Sequence, residues 1–474
     1  MQTITRCSTA DLGHAVDQWI MAHEQEMLRD IAALVSIKSV AEKGGAYPYG
    51  FGCAKVLDSF LELGNAYGFN VLHHEYHCGS LTFGGQGKRI GVWGHLDVVP
   101  EGIGWRFPPY ACQKVGDFLL GRGVQDNKGP VVAVLYALRC IKELDVPIRN
   151  AIIQIVGCGE EIGMEDAQYY LRHNPAPDFS FIADSGFPVC YGEKGICEVL
   201  LTAGLLGDNI LSLTGGTVAN SVPDTACALL KKQSGLAKEL SSLPQGLTVK
   251  DGEDGWLVTA QGLSKHVAFP EGSVNAVGLL CSALTACDVL TDKDQKQIAF
   301  IAKLCSSFTG EYLDIVCEDA ISGPLTCVCS LASIQQGRIS LTLNIRYPVQ
   351  ADFNTLLCML RQACEHNGFA VTVLSNSKPN YYPKDSDCVQ ALMRAYRQVT
   401  DSFEEPFVMG GGTYARKIPN AVAFGPGMPA DTACLDLPEG HGACHTPDEA
   451  QSVSNLLKAL KIYVLALLEL DAIL

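Results

Sequence analysis

Several features that mark special classes of protein are missing from this sequence. No apolar run is long enough to cross a bilayer: the longest strongly apolar segment, Ile462–Leu468, is far shorter than the roughly 20 residues that a transmembrane helix needs. Residues 1–15 lack the apolar core of a secretory signal peptide. The sequence also has no internal repeat and no low-complexity linker. These absences predict a soluble, cytoplasmic protein with no membrane partner.

Positive charge is also scarce. The chain has 35 lysines and arginines against 51 aspartates and glutamates, which gives a formal net charge of −16. Nucleic acids and anionic membranes attract basic proteins, so neither is expected as a partner. The 20 cysteines are spread from Cys7 to Cys444 without a C-x-x-C motif, and a chain of this length needs no disulfide scaffold. We therefore expect reduced and mostly buried thiols.

The length and the order of patterns predict two domains. A chain of 474 residues exceeds the size at which single hydrophobic cores stop growing. Strand-like and helix-like segments alternate up to about residue 193 and again from about residue 383, which is typical of an α/β domain. Residues 194–382 instead contain strands with period-two alternation, which indicates an α+β insert. We predict a mostly parallel sheet flanked by helices, built from residues 1–193 and 383–474, with an inserted domain at 194–382.

Polar side chains follow the apolar runs that we predict as buried strands. His95 and Asp97 come at the end of the run 89–94, and in an extended chain they point to the same side. Open α/β sheets bind their ligands at the carboxyl ends of the strands. The candidate groups at those ends, or in the loops beside them, are His95, Asp97, Asp126, Glu160, Glu161, Asp184 and His445.

This set of side chains suits a pair of divalent metal ions. Two imidazoles and three carboxylates are ligands that borderline ions such as Zn²⁺ and Mn²⁺ accept. Two ions about 3.5–4 Å apart can share and polarise one water, which a further carboxylate deprotonates. We expect Glu160 and Glu161 to divide these tasks, one as the general base and one as a ligand. Asp97 would fix the tautomer of His95 through the second ring nitrogen.

Ordinary explanations compete for some of the nearby residues. Residues 446–449 match a helix capping box, so Glu449 would close a helix N-terminus and thereby hold His445 in place. Cys158 and Cys444 flank the site and offer sulfur as an alternative ligand, although buried small residues are the commoner role. His441 is a weaker ligand candidate because it lacks the cap.

Several segments of the sequence match a known family. They are GHLDVVPEG at 94–102, GRGVQDNKGP at 121–130, EEIG at 160–163, ADSGFP at 183–188 with GEKG at 192–195, GGGTYARKIPNAVAFGPG at 410–427 and HTPDE at 445–449. By these segments the chain resembles the ArgE/DapE, aminoacylase and carboxypeptidase G superfamily of co-catalytic metallohydrolases, most closely its PepV-type dipeptidase branch. The resemblance implies the zinc-peptidase fold with an inserted lid domain.

The resemblance also implies a role for each strand-end residue. Two ions would share one bridging carboxylate, with the ligands His95 and Asp184 for one ion, Glu161 and His445 for the other, and Asp126 between them. Asp97 would orient His95, and Glu160 would be the general base.

The inserted domain resembles the lid of that family. His266 matches a histidine that stabilises the oxyanion, and Arg346 matches an arginine that binds the carboxylate of the substrate. Asn220 resembles a second substrate contact. The glycine-rich loop would line the substrate pocket with backbone N–H groups, and its candidate residues are Gly411, Gly412 and Thr413.

The sequence therefore predicts a monomeric, cytoplasmic dipeptidase that uses two divalent ions, Zn²⁺ or Mn²⁺, to hydrolyse dipeptides or short peptides. The resemblance also favours a monomer, because in the dipeptidase branch the long lid supplies its own histidine. An N-acyl-amino-acid deacylase is the alternative enzyme, because Arg346 would bind the carboxylate of either substrate. A catalytically dead scaffold homologue is the third hypothesis, and the intact ligand set together with Glu160 argues against it.

Overall fold

A computed structural model describes residues 9–204, 207–232, 246–287 and 290–474. Residue contacts divide the chain into two compact units. The first comprises Met1–Tyr191, Tyr381–Phe407 and Gly412–Leu474, and the second comprises Gly192–Asn380 and Val408–Gly411. The domain boundaries after residues 193 and 382 stay a prediction.

The described residues form helices with the following bounds: α1 Thr9–Val35, α2 Gly50–Ala66, α3 Lys128–Glu143, α4 Glu165–His173, α5 Ala276–Ala286, α6 Asp292–Ser306, α7 Phe353–His366, α8 Asp387–Thr400 and α9 Val453–Ile473. Three short 3₁₀ helices are Glu311–Leu313, Tyr414–Arg416 and Ala433–Leu435.

The strands have these bounds: β1 Asn70–His74, β2 Cys78–Gly84, β3 Arg89–His95, β4 Gln113–Val115, β5 Phe118–Leu120, β6 Ala151–Gly157, β7 Phe179–Ile182, β8 Ser185–Gly186, β9 Val189–Glu193, β10 Gly195–Gly204, β11 Ile210–Gly215, β12 Thr225–Leu230, β13 Leu247–Asp251, β14 Trp256–Gln261, β15 Glu318–Asp319, β16 Gly323–Pro324, β17 Thr326–Gln335, β18 Arg338–Tyr347, β19 Ala370–Ser377, β20 Asn380–Tyr381, β21 Phe407–Met409, β22 Ala421–Phe424, β23 Pro426–Gly427 and β24 Ala450–Ser452.

The main sheet of the first unit is parallel at its centre. Strands β6, β3, β7 and β22 lie side by side and run in the same direction. Antiparallel strands flank them, β2 and β1 on one side and β9 on the other. The central strands are apolar and buried, as expected for a sheet covered on both faces. The sequence prediction of an α/β fold is therefore confirmed, with antiparallel strands at the sheet edges.

The helices of the first unit pack through their apolar faces. Helix α3 is buried over almost its whole circumference, and α1 and α9 pack on it. Helix α9 buries an apolar stripe that includes Leu456 and Leu460. The side chain of Ser452 caps α9 by accepting a hydrogen bond from the amide of Asn455.

The second unit is built on an antiparallel sheet. Its eight strands lie in the order β13, β14, β12, β11, β17, β18, β10 and β19. The long strands β10 and β18 pair over ten positions, from Gly195 against Tyr347 to Gly204 against Arg338. Helices α5, α6 and α7 contribute Leu280, Ile301 and Leu360 to one hydrophobic core with the sheet. Helix α5 ends at Ala286, and residues 288 and 289 lie outside the described part.

Cysteines contribute to the cores of both units. The cysteines in the described ranges form no disulfide bonds with one another, and most are buried, as predicted. Cys7 lies outside the described residues. None of the helices in those ranges is both long enough and apolar enough to span a membrane.

Candidate metal centre

The candidate residues of the first unit converge because their strands are parallel. His95 is the last residue of β3 and pairs with Gly157, the last residue of β6. Glu160 and Glu161 follow β6, and Asp184 follows β7. Parallel neighbours bring their carboxyl ends to one edge of the sheet, so these side chains emerge together.

Asp126 lies between the two histidines. Its Oδ1 is 2.9 Å from Nε2 of His95, and its Oδ2 is 3.0 Å from Nε2 of His445. Nε2 of His95 also lies 3.6 Å from Oδ2 of Asp184, and Nε2 of His445 lies 3.1 Å from Oε1 of Glu161. One carboxylate thus offers one oxygen to each half of the cluster, which is the arrangement of a bridging ligand.

His95 is held from its other ring nitrogen by Asp97. Nδ1 of His95 lies 2.9 Å from the backbone oxygen of Asp97 and 3.4 Å from its carboxylate. Both residues are fully buried. The Asp97 carboxylate also accepts hydrogen bonds from the amides of Glu160 and Glu161, at 3.2 and 3.0 Å. Asp97 therefore contacts both the imidazole and the turn that carries the two glutamates.

The electrostatics of the cluster favour a bound cation. Burial raises the pKa values of Glu160, Glu161 and Asp184. Hydrogen bonds to Asp126 and Glu161 raise the pKa of His445 to about 11. Burial alone would lower the pKa of His95, yet the carboxylates around it raise the pKa well above the ordinary value. The carboxylates of Asp126, Glu161 and Asp184 are largely buried, and their ion-pair partners in the described residues are histidines alone. They are therefore short of positive charge, which a divalent ion would supply.

The donor set fits metal ions. Three groups of side chains in the described residues have ligand atoms within 4.8 Å of one another, namely His95 with Asp126 and Asp184, Asp126 with Glu161 and His445, and His95 with Glu160 and Glu161. Imidazole nitrogens and carboxylate oxygens suit Zn²⁺ and Mn²⁺. These groups contain no cysteine, and the Sγ of buried Cys158 lies 3.8 Å from the backbone oxygen of Cys53.

The expected role of Glu449 as a helix cap is wrong. Residues 446–449 form no helix, and α9 begins only at Val453. Strand β24 pairs with β5 instead, and this pairing brings Glu449 to the loop before α3. The fully buried Glu449 carboxylate accepts hydrogen bonds from the amides of Gly123, Gln125 and Asp126 and from the guanidinium of Arg122, at 2.6–3.1 Å. Glu449 thus fixes the loop that carries Asp126.

Asn127 is a positioning residue that the sequence reasoning missed. Its side-chain nitrogen donates to the Asp184 carboxylate at 2.9 Å and to the backbone oxygen of Ala183 at 2.7 Å. Its side-chain oxygen accepts from the amide of His95 at 3.2 Å. Asn127 is also the N-cap residue of α3. In the sequence, only its place beside Asp126 pointed to Asn127. Its contacts with the ends of β3 and β7 depend on the order of the strands in the sheet.

His441, the weaker ligand candidate, has another partner. Its Nδ1 lies 2.7 Å from a carboxylate oxygen of Asp448. The buried Asp448 also accepts from the amides of Arg106 and Phe107. His441 belongs to none of the candidate metal groups in the described part of the chain.

Two predicted site residues of the second unit lie on adjoining exposed segments. His266 and Asn220 are both exposed. The amide of Val267 donates to the backbone oxygen of Asn220, and Ser221 forms an isolated bridge with His266. The amide of Ala268 donates to Nδ1 of His266 at 3.2 Å. In a neutral imidazole this hydrogen bond leaves the proton on Nε2, so that Nε2 is a donor.

Arg346 is buried, in contrast with His266. The arginine comes from β18, its Nε donates to the side-chain oxygen of Asn344 at 2.8 Å, and its Nη1 donates to the backbone oxygen of Gly410 at 2.9 Å. Gly411 follows in the second unit, and Gly412 and Thr413 belong to the first. The Thr413 hydroxyl caps the 3₁₀ turn Tyr414–Arg416 by accepting from the amide of Ala415.

A cavity of about 250 Å³ opens beside the candidate ligands of the first unit. Apart from the candidate ligands Asp126 and Asp184, the side chains that line it are uncharged. The lining residues are Gln125, Asp126, Asp184, Ser185, Gly186, Pro426, Gly427, Cys444 and Gln451.

Comparison with models of known protein families assigns the chain to a family. The model of peptidase family M20/M25/M40 matches residues 91–469, which is most of the sequence and includes every candidate ligand. The chain belongs to this family. It is therefore a metal-dependent peptidase, and the predicted membership in this superfamily of metallopeptidases is confirmed.

Relatives support this assignment along the full length of the chain. A Bacillus subtilis (strain 168) protein provisionally named dipeptidase YtjP is 31% identical over 472 residues, which cover 95% of this chain and 98% of that protein. A Staphylococcus saprophyticus protein with a similar provisional dipeptidase name is 28% identical over 471 residues, with the same two coverages.

Solved structures share the fold. Human carnosine dipeptidase 1 superposes with a TM-score of 0.61 at 16% identity and covers 98% of this chain and 99% of its own. The di-peptidase Dug1p of Saccharomyces cerevisiae has a TM-score of 0.59 at 13% identity, with coverages of 97% and 98%. At these identities the likeness supports the fold with its inserted lid domain and nothing finer.

Proposed function

We propose that this M20 peptidase is a dipeptidase with two metal ions in the first unit. The observation that carries the proposal is the position of Asp126, whose two carboxylate oxygens face the two histidines. His95 and Asp184 would hold one ion, Glu161 and His445 the other, and Asp126 both. Zn²⁺ is the first choice for this donor set and Mn²⁺ the second. When bound at these residues, two such ions would supply Lewis-acid chemistry that polarises the scissile carbonyl and lowers the pKa of the attacking water.

Glu160 is the general base in this proposal. Its neighbour Glu161 accepts a hydrogen bond from His445, whereas no group in the described residues donates one to the Glu160 carboxylate. Glu160 is therefore available to accept a proton from the attacking water and to deliver it to the leaving amine. Burial raises the pKa of Glu160, which suits a carboxyl group that must hold a proton between the two steps.

Residues of the second unit would recognise the substrate and its oxyanion. His266 would donate Nε2–H to the developing oxyanion, in line with the acceptor role of its Nδ1. Arg346 would bind the terminal carboxylate, and its contacts with Asn344 and Gly410 fix the direction of the guanidinium. Asn220 and the backbone of Gly411, Gly412 and Thr413 are proposed as further substrate contacts.

The dipeptidase names of the two relatives and the carboxylate-binding role of Arg346 favour dipeptides over longer peptides. We also propose that the protein is a monomer, since the long inserted domain carries its own histidine. Its proposed location is the cytoplasm. Light scattering on the purified protein tests the monomer.

The test is an assay of metal-stripped protein reloaded with Zn²⁺ or Mn²⁺. Dipeptides and N-acetyl amino acids are supplied in parallel, with Glu160→Gln as the control and bound metal measured for each sample. We expect cleavage of dipeptides, two equivalents of metal, and a loss of about 10²–10⁴ in kcat for the control with both ions retained. Cleavage of the N-acetyl substrates alone would make the protein a deacylase. Two bound ions without turnover of either substrate would favour a scaffold.

A further inference from the structure

Two buried carboxylates hold the turn that carries Glu160 and Glu161. The amides of Cys158 and Gly159 donate to Oδ2 of Asp166 at 2.8 and 2.7 Å. The next two amides, of Glu160 and Glu161, donate to the two oxygens of Asp97. Four consecutive N–H groups thus point to carboxylates that bind no metal in our proposal.

Asp166 is itself fixed from two sides. Its Oδ1 accepts from the amide of Ala167 at the start of α4, and its Oδ2 accepts a 2.5 Å hydrogen bond from the hydroxyl of Tyr414. Asp166 and Tyr414 are both fully buried. The Tyr414 ring also packs edge-on against His95, with centroids 6.4 Å apart.

The packing leaves this turn little freedom. A Cβ on Gly157 would lie 1.9 Å from the Tyr414 hydroxyl and 2.2 Å from Oδ2 of Asp166, so only glycine fits. A Cβ on Gly159 would lie 2.5 Å from the ring of Tyr49. The backbone is therefore pressed against Tyr49 on one side and against the Asp166–Tyr414 pair on the other.

We propose that Asp166 and Tyr414 are positioning residues for the general base, and that their hydrogen bond keeps Glu160 in its productive orientation. This inference rests on the proposed function, because it takes Glu160 as the base. Glu161 has further contacts through His445, whereas Glu160 depends on its backbone for its direction. Loss of the pair should consequently lower kcat more than it changes substrate or metal binding.

The decisive variant is Tyr414→Phe in the full-length, metal-loaded protein, which removes one hydroxyl and keeps the ring. The matched control is Tyr136→Phe. Tyr136 is equally buried in the first unit and donates a 2.7 Å hydrogen bond to Asp30, away from the metal centre. Each variant is assayed for kcat, KM and bound metal, and hydrogen exchange is measured on peptides that cover residues 158–161.

We expect Tyr414→Phe to lower kcat about tenfold and to speed exchange at residues 158–161, with KM and metal content unchanged. Tyr136→Phe should leave kcat within about twofold of the wild type, because it is remote from the turn. Asp166→Asn should lower kcat further, by about 100-fold. The side-chain NH₂ group of the new asparagine would face one of the backbone N–H groups that now donate to Asp166, so that two donors would meet.

Equal losses of kcat and thermal stability in Tyr414→Phe and Tyr136→Phe would overturn the proposal, since the hydroxyl would then be merely structural. Faster exchange with full kcat would overturn it as well. A wild-type protein that cleaves no dipeptide would refute the proposed function. Unchanged exchange at residues 158–161 in Tyr414→Phe would refute the positioning role independently of any substrate.

Discussion

His95 and Asp97 of the first unit and His266 of the second unit lie in opposite surroundings. His95 and Asp97 have no exposed surface, and the candidate ligands around them contact residues from several strands and loops. His266 is exposed, and the amide of Ala268 donates a hydrogen bond to its Nδ1. Carboxylates that must stay close together despite their like charges need hydrogen bonds and packing from many sides. A histidine that donates one hydrogen bond to a transition state needs only its tautomer fixed.

The largest expected effect comes from removing the bridging carboxylate of the first unit. We expect Asp126→Asn to lose bound metal and to lower kcat/KM by about 10³-fold or more, because both ions lose a ligand. Added Zn²⁺ should raise the melting temperature of the wild type and leave that of the variant unchanged. The control is Asp117→Asn, which alters the cap of α9 rather than the cluster. Full metal occupancy in Asp126→Asn would contradict the bridging role.

His266 should show the reverse pattern. We expect His266→Ala to lower kcat by about 10²–10³, the range for the loss of one oxyanion donor, with metal content and melting temperature unchanged. The exposed neighbour Lys265→Ala is the control and should retain its kcat. A loss of metal in His266→Ala would remove the contrast between the two units.

Arg346 lies between these extremes, as a buried charge in the second unit. Arg346→Lys keeps the charge but loses the fork that binds a carboxylate, so we expect KM for a dipeptide to rise about tenfold. For the wild type, replacing the C-terminal carboxylate of the dipeptide by an amide should raise KM by the same factor. For Arg346→Lys, this replacement should raise KM no further. Independent losses from the two changes would argue that Arg346 contacts another part of the substrate.

The smallest expected effect concerns the contribution of the Asp448 carboxylate to stability, and how it changes at low pH. Burial alone would raise the pKa of Asp448, but hydrogen bonds from His441 and from the amides of Phe107 and Arg106 lower it below the ordinary value. A carboxyl with a lowered pKa stabilises the folded state above the unfolded pKa of about 3.9 and loses that stabilisation as the pH falls through the folded pKa.

Asp448→Asn should therefore lower the melting temperature at pH 7 by about 1–2 °C for each kcal/mol lost. The difference from the wild type should shrink as the pH approaches 3, which thermal melts at several pH values measure. A difference that does not change with pH would mean that packing, and not charge, explains the effect.

The sequence predicted most elements of the first unit, because apolar runs and helical periodicity report burial directly. The apolar run at 89–94 forms β3 as predicted, and strands and helices alternate up to about residue 193 as predicted. Short strands such as β4 and β5 were missed, since three residues carry too little pattern. That omission led to the error at Glu449, because the pairing of β5 with β24 is what replaces the expected capping box.

The sequence by itself identified the candidate residues for the chemistry, namely His95, Asp126, Glu160, Glu161, Asp184 and His445, which lie at the ends of predicted strands or in the loops beside them. Only the tertiary structure decided what holds them. Asp166, Tyr414 and Asn127 act through hydrogen bonds to amides and side chains that are distant in sequence or on neighbouring strands. The reason is physical: a ligand is recognised by its own functional group, whereas a supporting residue is defined by partners that only the sheet order brings within reach.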